Sequence, residues 1–306
     1  MKSHVLALDS GTTSTKAFVF SQGSQIVTSS AREHQQILPK PGYVEHSPDE
    51  IWTNTTEVIN ESVSAARLRK GELRALGITN QRETTILWDR NSGIPISNAI
   101  TWQDTRTQSH IDSMEDIVGS RASVEKTGLP LSTYFSASKI RWLLDNVSGA
   151  RSAAESGDIA FGTVDTWLLW KLTGGPNGGI HATDVTNASR TLLMNLHRCQ
   201  WDHELLELWE IPPAILPEIR SSSEIYGVVR DPANLSGLPI SGILGDQQAA
   251  TIGQACFNKG QSKSTYGTGC FLLMNIGNKF KLSKNRLLTT VAYKINGKKM
   301  FCYEGS

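Results

Sequence analysis

Residues 9–16 read Asp-Ser-Gly-Thr-Thr-Ser-Thr-Lys. One short run thus concentrates a carboxylate, a glycine, a series of hydroxyls and a cation. Apolar stretches at 5–8 and 17–20 flank it, so the pattern predicts strand, tight turn, strand. Such a turn presents backbone N–H groups, hydroxyl donors and Lys16 to phosphate oxygens. Asp9 stands close enough to manage a divalent cation. Asp, Ser and Gly are also ordinary turn formers, so the segment reads either as a nucleotide phosphate site or as a plain hairpin. The P-loop pattern G-x-x-x-x-G-K-[ST] is absent from it.

Other residues match the remaining needs of phosphoryl transfer to an alcohol, which are a base, a clamp for the alcohol and a second phosphate contact. Asp246 follows the apolar run 239–244, between Gly245 and Gln247. There it can act as a general base at a cleft or simply cap the next helix. Arg82-Glu83 stands just behind the apolar run 73–78. Forked donors beside a carboxylate suit two hydroxyls of a neutral polyol, and they equally suit a surface ion pair. Trp102 and the pair Tyr134-Phe135 read as apolar walls with polar tips or as core aromatics. Thr268 sits in Gly267-Thr268-Gly269, between strand-like runs 262–266 and 271–276. It is a phosphate donor or a turn residue.

The elements that must position these groups follow from periodicity. Runs 5–8, 17–20 and 25–29 predict a β-meander. Ser47-Pro48-Asp49-Glu50 has the form of a capping box, and Ile51, Val58, Ile59 and Val63 form the apolar stripe of the helix it starts. Runs 73–78, 85–88, 159–164 and 239–244 predict strands. Short helices are expected around 140–144, 165–172 and 249–256. The glycine-rich run 174–179 reads as a connecting loop with no phosphate role. The hairpin around Thr268 echoes the one around residues 9–16. That echo suggests a duplicated architecture in which each half holds one side of a shared phosphate site.

Composition sets outer limits. The chain has 306 residues, 39% hydrophobic and 19% charged, with a net charge of +1. It reads as a globular protein of two domains. Nothing in the charge calls for a nucleic acid or an anionic membrane, and no apolar run reaches membrane-spanning length. The Lys-rich stretch 279–286 and Lys298-Lys299 read as solvated hairpin edges. Four scattered cysteines without zinc spacing read as free thiols in a reducing cytoplasm.

Taken together, the motifs carry a resemblance. D-S-G-T-T-S-T-K (9–16), K-P-G-Y-V-E-H (40–46), G-I-T-N-Q-R-E-T-T (77–85) and Y-F-S-A-S-K-I-R-W-L-L-D-N (134–146) form its first part. F-G-T-V-D-T-W-L (161–168), T-D-V-T-N-A-S-R-T (183–191), G-D-Q-Q-A-A (245–250) and Y-G-T-G-C-F (266–271) complete it. The chain resembles the N-terminal part of the glycerol kinases of the FGGY carbohydrate kinase family, almost from end to end. The resemblance implies an α/β fold of the actin/hexokinase/Hsp70 (ribonuclease H-like) type. Residues 1–252 would be the N-terminal kinase domain, and 253–306 the first strands of a second such domain. It implies ATP- and Mg²⁺-dependent phosphorylation of glycerol to sn-glycerol 3-phosphate. Arg82, Glu83, Trp102, Tyr134, Asp246 and Gln247 then resemble the polyol contacts, with Asp246 as base. Thr12, Thr13, Ser14, Lys16 and Thr268 resemble nucleotide-phosphate contacts, and Asp9 the residue that organises Mg²⁺.

The alternatives are a kinase for another polyol or a ketose such as xylulose, and a non-catalytic remnant that binds a polyol or a partner. Homo-oligomerisation is left open. The stretch 232–238 lacks the glycine-rich, Arg-ending loop with which many relatives bind fructose 1,6-bisphosphate, so that feedback inhibition is not expected. Residues 102–106 read W-Q-D-T-R where relatives carry W-Q-D-R-R. The helices of the second domain and its adenine pocket are not expected within these residues, so the chain alone is expected to be weak or inactive.

Overall fold

In the computed structural model, residues 3–69, 71–267 and 269–305 are described. Ten strands make the main sheet: β1 (His4–Ser10), β2 (Ser14–Ser21), β3 (Ile26–Glu33), β4 (Leu73–Asn80), β5 (Ser223–Val228), β6 (Pro239–Gly245), β7 (Ser262–Tyr266), β8 (Cys270–Gly277), β9 (Leu288–Ile295) and β10 (Lys298–Gly305). Their order is β7-β8-β10-β9-β5-β6-β4-β1-β2-β3. The expected meander is β1-β2-β3, antiparallel throughout.

Helix α1 (Pro48–Ala66) starts as its capping box requires. The Ser47 hydroxyl accepts the Glu50 N–H at 3.2 Å, and Pro48 fills the first turn. Its stripe Ile51, Val58 and Ile59 is fully buried with Leu6, Leu8, Ala17 and Val19 of the sheet. Burial of each large aliphatic side chain there is worth about 1.5–3 kcal/mol. This contact seats the first hairpin on a rigid base.

The register of the central strands positions the site. β4 runs parallel to β1, with Ser10 level with Asn80. β6 runs parallel to β4, with Asn80 level with Gly245. The turn after β1, the Gln81-Arg82-Glu83 segment after β4, and Asp246 after β6 therefore emerge side by side at one edge. In open α/β sheets the carboxyl ends of the strands are where ligands bind.

Several boundaries differ from the sequence reading. Helix α2 (Ser136–Asn146) covers the expected 140–144. The expected strand 159–164 ends at Gly162, and α3 (Val164–Leu172) begins two residues later. Strand β6 passes directly into α4 (Asp246–Gly253), so this helix starts three residues before 249 and ends three before 256. Helices Gln108–Ile117 and Gly119–Thr127 and strands β5 and β9 were not expected. Lys298 and Lys299 begin β10, at a hairpin edge as expected. The β7–β10 block is antiparallel and joins the rest of the sheet through one residue pair, Ser223 with Ile295.

Candidate active site

The three aligned strand ends open onto a cavity of about 180 Å³. It is lined by Thr12, Arg82, Glu83, Trp102, Tyr134, Asp246 and Gln247 from the first part of the chain. Thr265, Gly267, Gly269 and Phe271 line it from the second hairpin. All six residues expected to contact a polyol are thus brought together. Of the expected phosphate contacts, Thr12 lines the cavity. Thr13 and Lys16 are exposed on the first hairpin and Ser14 is half-buried there. Thr268 lies outside the described residues.

Glu83 adopts a positive φ of 63°, a conformation that a bulky residue holds only when its surroundings impose it. Two contacts do so. The Thr84 N–H donates to the Arg82 carbonyl at 2.7 Å, and the Ser136 hydroxyl of α2 donates to the Glu83 carbonyl at 2.9 Å. The kink turns both Arg82 and Glu83 toward the cavity instead of continuing the strand.

The side chain of Asp246 is 36% exposed, whereas that of Arg82 beside it is 2% exposed. The guanidinium Nε lies 3.3 Å from Asp246 Oδ1. Asp246 also accepts the Gln247 N–H at 2.7 Å and the Gln247 side-chain amide at 3.3 Å. The far oxygen of that amide accepts from the buried Lys263, which also donates to Thr265 at 2.8 Å. This fixes the orientation of the Gln247 amide. Asp246 is the first residue of α4, whose N-cap is Gly245 with no side-chain cap bond, so Asp246 stands at the strand end but does not cap the helix as the alternative reading had it.

The walls are aromatic. Trp102 packs edge-on against Tyr134 and Phe271, with ring centroids 5.6 and 6.2 Å apart, and its indole N–H donates to the Thr12 hydroxyl at 2.8 Å. Burial pushes the Tyr134 phenol well above its ordinary pKa, so it remains a neutral donor. Phe135 is buried behind it. Lys139 on α2 donates to the carbonyls of Thr133, Tyr134 and Phe135 and so holds this wall in place. Burial lowers its pKa to about 7.

Asp9 stands at the end of β1 opposite Lys16. Burial, and then the nearby Asp246 charge, raise its pKa to about 6, against the pull of Lys16. Asp9 thus lies within reach of the charge of Asp246, although it does not itself line the cavity.

Two residues at the site had no role assigned from sequence, although Arg190 stands inside the quoted motif 183–191. Glu304 on β10 receives both terminal nitrogens of Arg82, at 2.8 and 2.6 Å. Arg190 donates from Nε to Glu83 at 2.5 Å and lies 3.4 Å from Glu304. Arg82 is thus held mainly by Glu304, not by its sequence neighbour, whose carboxylate is 3.9 Å away. The fork that sequence reasoning gave to substrate hydroxyls is occupied from behind. Burial would raise Glu304, but Arg190 and Arg82 outweigh it and hold its pKa at about 2. A lone acidic residue in the strand-like end of the chain was the available signal.

Comparison with known proteins gives this arrangement relatives. Residues 4–253 match the model of the N-terminal domain of the FGGY family of carbohydrate kinases. A glycerol kinase of Paenarthrobacter aurescens is 53% identical over 307 aligned residues, which take in 100% of this chain and 61% of the relative. The crystal structure of Plasmodium falciparum glycerol kinase with ADP superposes with a TM-score of 0.94 at 40% identity, covering 100% of this chain and 61% of that one. A gluconate kinase from Lactobacillus acidophilus shares the fold, with a TM-score of 0.87 at 22% identity over 100% of this chain and 60% of its own. The chain therefore spans about three fifths of the length of the relatives it matches. The architecture is that of the actin/hexokinase-like kinases. On the match that runs through residues 4–253, the chain belongs to the FGGY family of carbohydrate kinases.

Proposed function

We propose that this chain carries the polyol site and one phosphate-binding side of an ATP-dependent glycerol kinase. The observation that carries the reading is the position of Asp246. Its side chain is 36% exposed, beside a buried guanidinium and in the same cavity as Glu83, Tyr134 and Trp102. At about 180 Å³ the cavity is smaller than the roughly 300–1,000 Å³ typical of drug-sized ligands, which suits a small polyol.

In this mechanism Glu83 accepts from, and Tyr134 and Arg82 donate to, the hydroxyls of glycerol, while Trp102 and Phe271 pack on its carbon face. Asp246 takes the proton of the terminal hydroxyl as that oxygen attacks the γ-phosphorus in line, and the bond from that phosphorus to the β–γ bridging oxygen breaks so that ADP leaves. A base so placed contributes about a hundred- to ten-thousandfold. The N–H groups and hydroxyls of the first hairpin, with Lys16, meet the phosphate oxygens on one side. Thr268 is assigned to the other. Residues 1–252 act as the first domain, and 253–306 begin the second.

The residues present fit a divalent cation. Asp9 and Asp246 are two carboxylates close enough for the charge of one to raise the pKa of the other. Among the described residues no group of three or more His, Cys, Asp or Glu forms a self-contained metal centre. That suits Mg²⁺, which is usually held by one or two carboxylates together with substrate phosphates. When bound there it would offset charge on the transferring phosphoryl group. Among the described residues no helix is long and apolar enough to cross a membrane. The free cysteines support a cytoplasmic setting.

Calorimetric titration of the chain with glycerol and with D-xylulose, followed by a coupled ADP-release assay with each, tests the reading. Glycerol binding with no response to D-xylulose is expected. Binding of D-xylulose in preference to glycerol would replace glycerol with a ketose, and binding of neither would remove the polyol assignment.

A further inference from the structure

Arg82 and Glu83 face the cavity, but two residues that do not line it set their charges. Glu304 pairs with both Arg82 and Arg190, and Arg190 pairs with Glu83. The 3.9 Å approach of Glu83 to Arg82 closes the circuit. None of the four side chains is more than 2% exposed. Two guanidiniums and two carboxylates thus alternate around a buried ring. At its mouth a further pair of opposite charges, Asp246 and Lys263, is linked through the Gln247 amide.

A buried imbalance of one charge is poorly screened and acts strongly on a ligand a few ångströms away. The fork of a guanidinium is also a ready-made bidentate site for a carboxylate. Glu304 occupies that fork on Arg82. Arg190 does the matching service for Glu83, which would otherwise present an unopposed carboxylate to a cationic ligand. We propose that Glu304 and Arg190 are positioning residues that determine charge selectivity. By neutralising Arg82 and Glu83 from behind, they make the cavity accept uncharged polyols and reject the carboxylate and ammonium analogues of the same size. This rests on the polyol reading of the site.

Calorimetry on the full chain at pH 7 with three probes tests it: glycerol, D-glycerate and protonated 3-amino-1,2-propanediol. The wild-type chain is expected to bind glycerol at least tenfold more tightly than either charged probe. E304Q removes one negative charge, and its D-glycerate affinity relative to glycerol is expected to rise at least tenfold. R190M removes one positive charge, and the aminopropanediol affinity relative to glycerol is expected to rise by the same factor. The double variant R190M/E304Q restores neutrality and is expected to regain the wild-type preference.

A merely structural role would weaken all three probes together. Folded variants with unmoved ratios therefore overturn the proposal. Should E304Q fail to fold, R190M and the double variant still decide. A wild-type chain that binds no glycerol removes the polyol reading and this proposal with it. Glycerol binding with unaltered selectivity in the variants removes the charge ring alone.

Discussion

Two strand–turn–strand hairpins frame the cavity with the same outline and different support. The β1–β2 hairpin lies inside the sheet, between β4 and β3, and α1 covers it. Its side chains interlock. The Ser10 and Thr15 hydroxyls meet at 3.2 Å, and Thr15 meets His34 Nε2 at 2.9 Å. The β7–β8 hairpin forms the opposite edge of the sheet, and β7 pairs on one side only. Tyr266 at its turn is 83% exposed and Leu272 is 48% exposed. The charged lining residues Arg82, Glu83 and Asp246, whose geometry must be fixed, follow the central strands β4 and β6 on the buttressed side, whereas the edge hairpin supplies Thr265, turn backbone and Phe271. Glu304, on β10 beside that edge hairpin, and Lys263 on β7 tie the two regions electrostatically, the first through Arg82 and the second through the Gln247 amide to Asp246.

The largest effect should come from the base. If the chemistry belongs to the buttressed region, Asp246→Asn lowers turnover about a hundred- to ten-thousandfold while leaving glycerol binding largely intact. Steady-state assay and calorimetry on the same preparation check both parts, and undiminished turnover would move the chemistry elsewhere.

The tie between the regions can be broken directly. Glu304→Ala leaves two buried guanidiniums without their shared partner and should cost about 3–5 kcal/mol. Glu125→Ala, in the exposed i,i+4 pair with Arg121, should cost no more than about 1 kcal/mol. Urea midpoints measure both, and equal costs would mean the ring contributes no more than a surface pair.

Two leucines then compare the hairpins themselves. Leu8 on β1 is fully buried, and its replacement by Ala should cost about 2–5 kcal/mol. Leu272→Ala on β8 should stay within about 0.5 kcal/mol. A large loss at Leu272 would show that its face is covered in solution.

A smaller, pH-dependent effect tests the base of the buttressed region. Burial lowers the pKa of His181 to about 4, against its hydrogen bond to the Phe161 carbonyl. The unfolded chain takes up a proton below about pH 6.5 that the folded chain refuses until about pH 4. This group therefore removes stability as pH falls through that window, by up to about 1.4 kcal/mol per pH unit. In His181→Gln the fall of the urea midpoint between pH 6.5 and 4 should be shallower than in the wild type. Parallel slopes would place the acid sensitivity elsewhere.

Much of the frame was legible locally. The alternation around residues 9–16 specifies a hairpin, Ser47-Pro48-Asp49-Glu50 specifies a helix start, and the apolar runs before Arg82 and Asp246 specify strands ending at those residues. Each depends on groups a few positions apart. The helix at 249–256 was placed late because Gly245 and Asp246 look like a loop. Only the sheet shows that β6 passes straight into α4. The charge ring was not legible, since nothing near Arg82 in sequence points to Glu304, 222 positions away.

The sequence by itself determined the turn chemistry, the strand ends and the inventory of donors and carboxylates, because these follow from backbone preference and side-chain type over short range. Tertiary structure alone decided that Ser10, Asn80 and Gly245 stand level, that Glu83 turns inward at positive φ, and that Arg82 answers to Glu304. The reason is electrostatic as much as geometric. What a buried charge can do depends on the groups packed around it, and that neighbourhood exists only once distant strands have met.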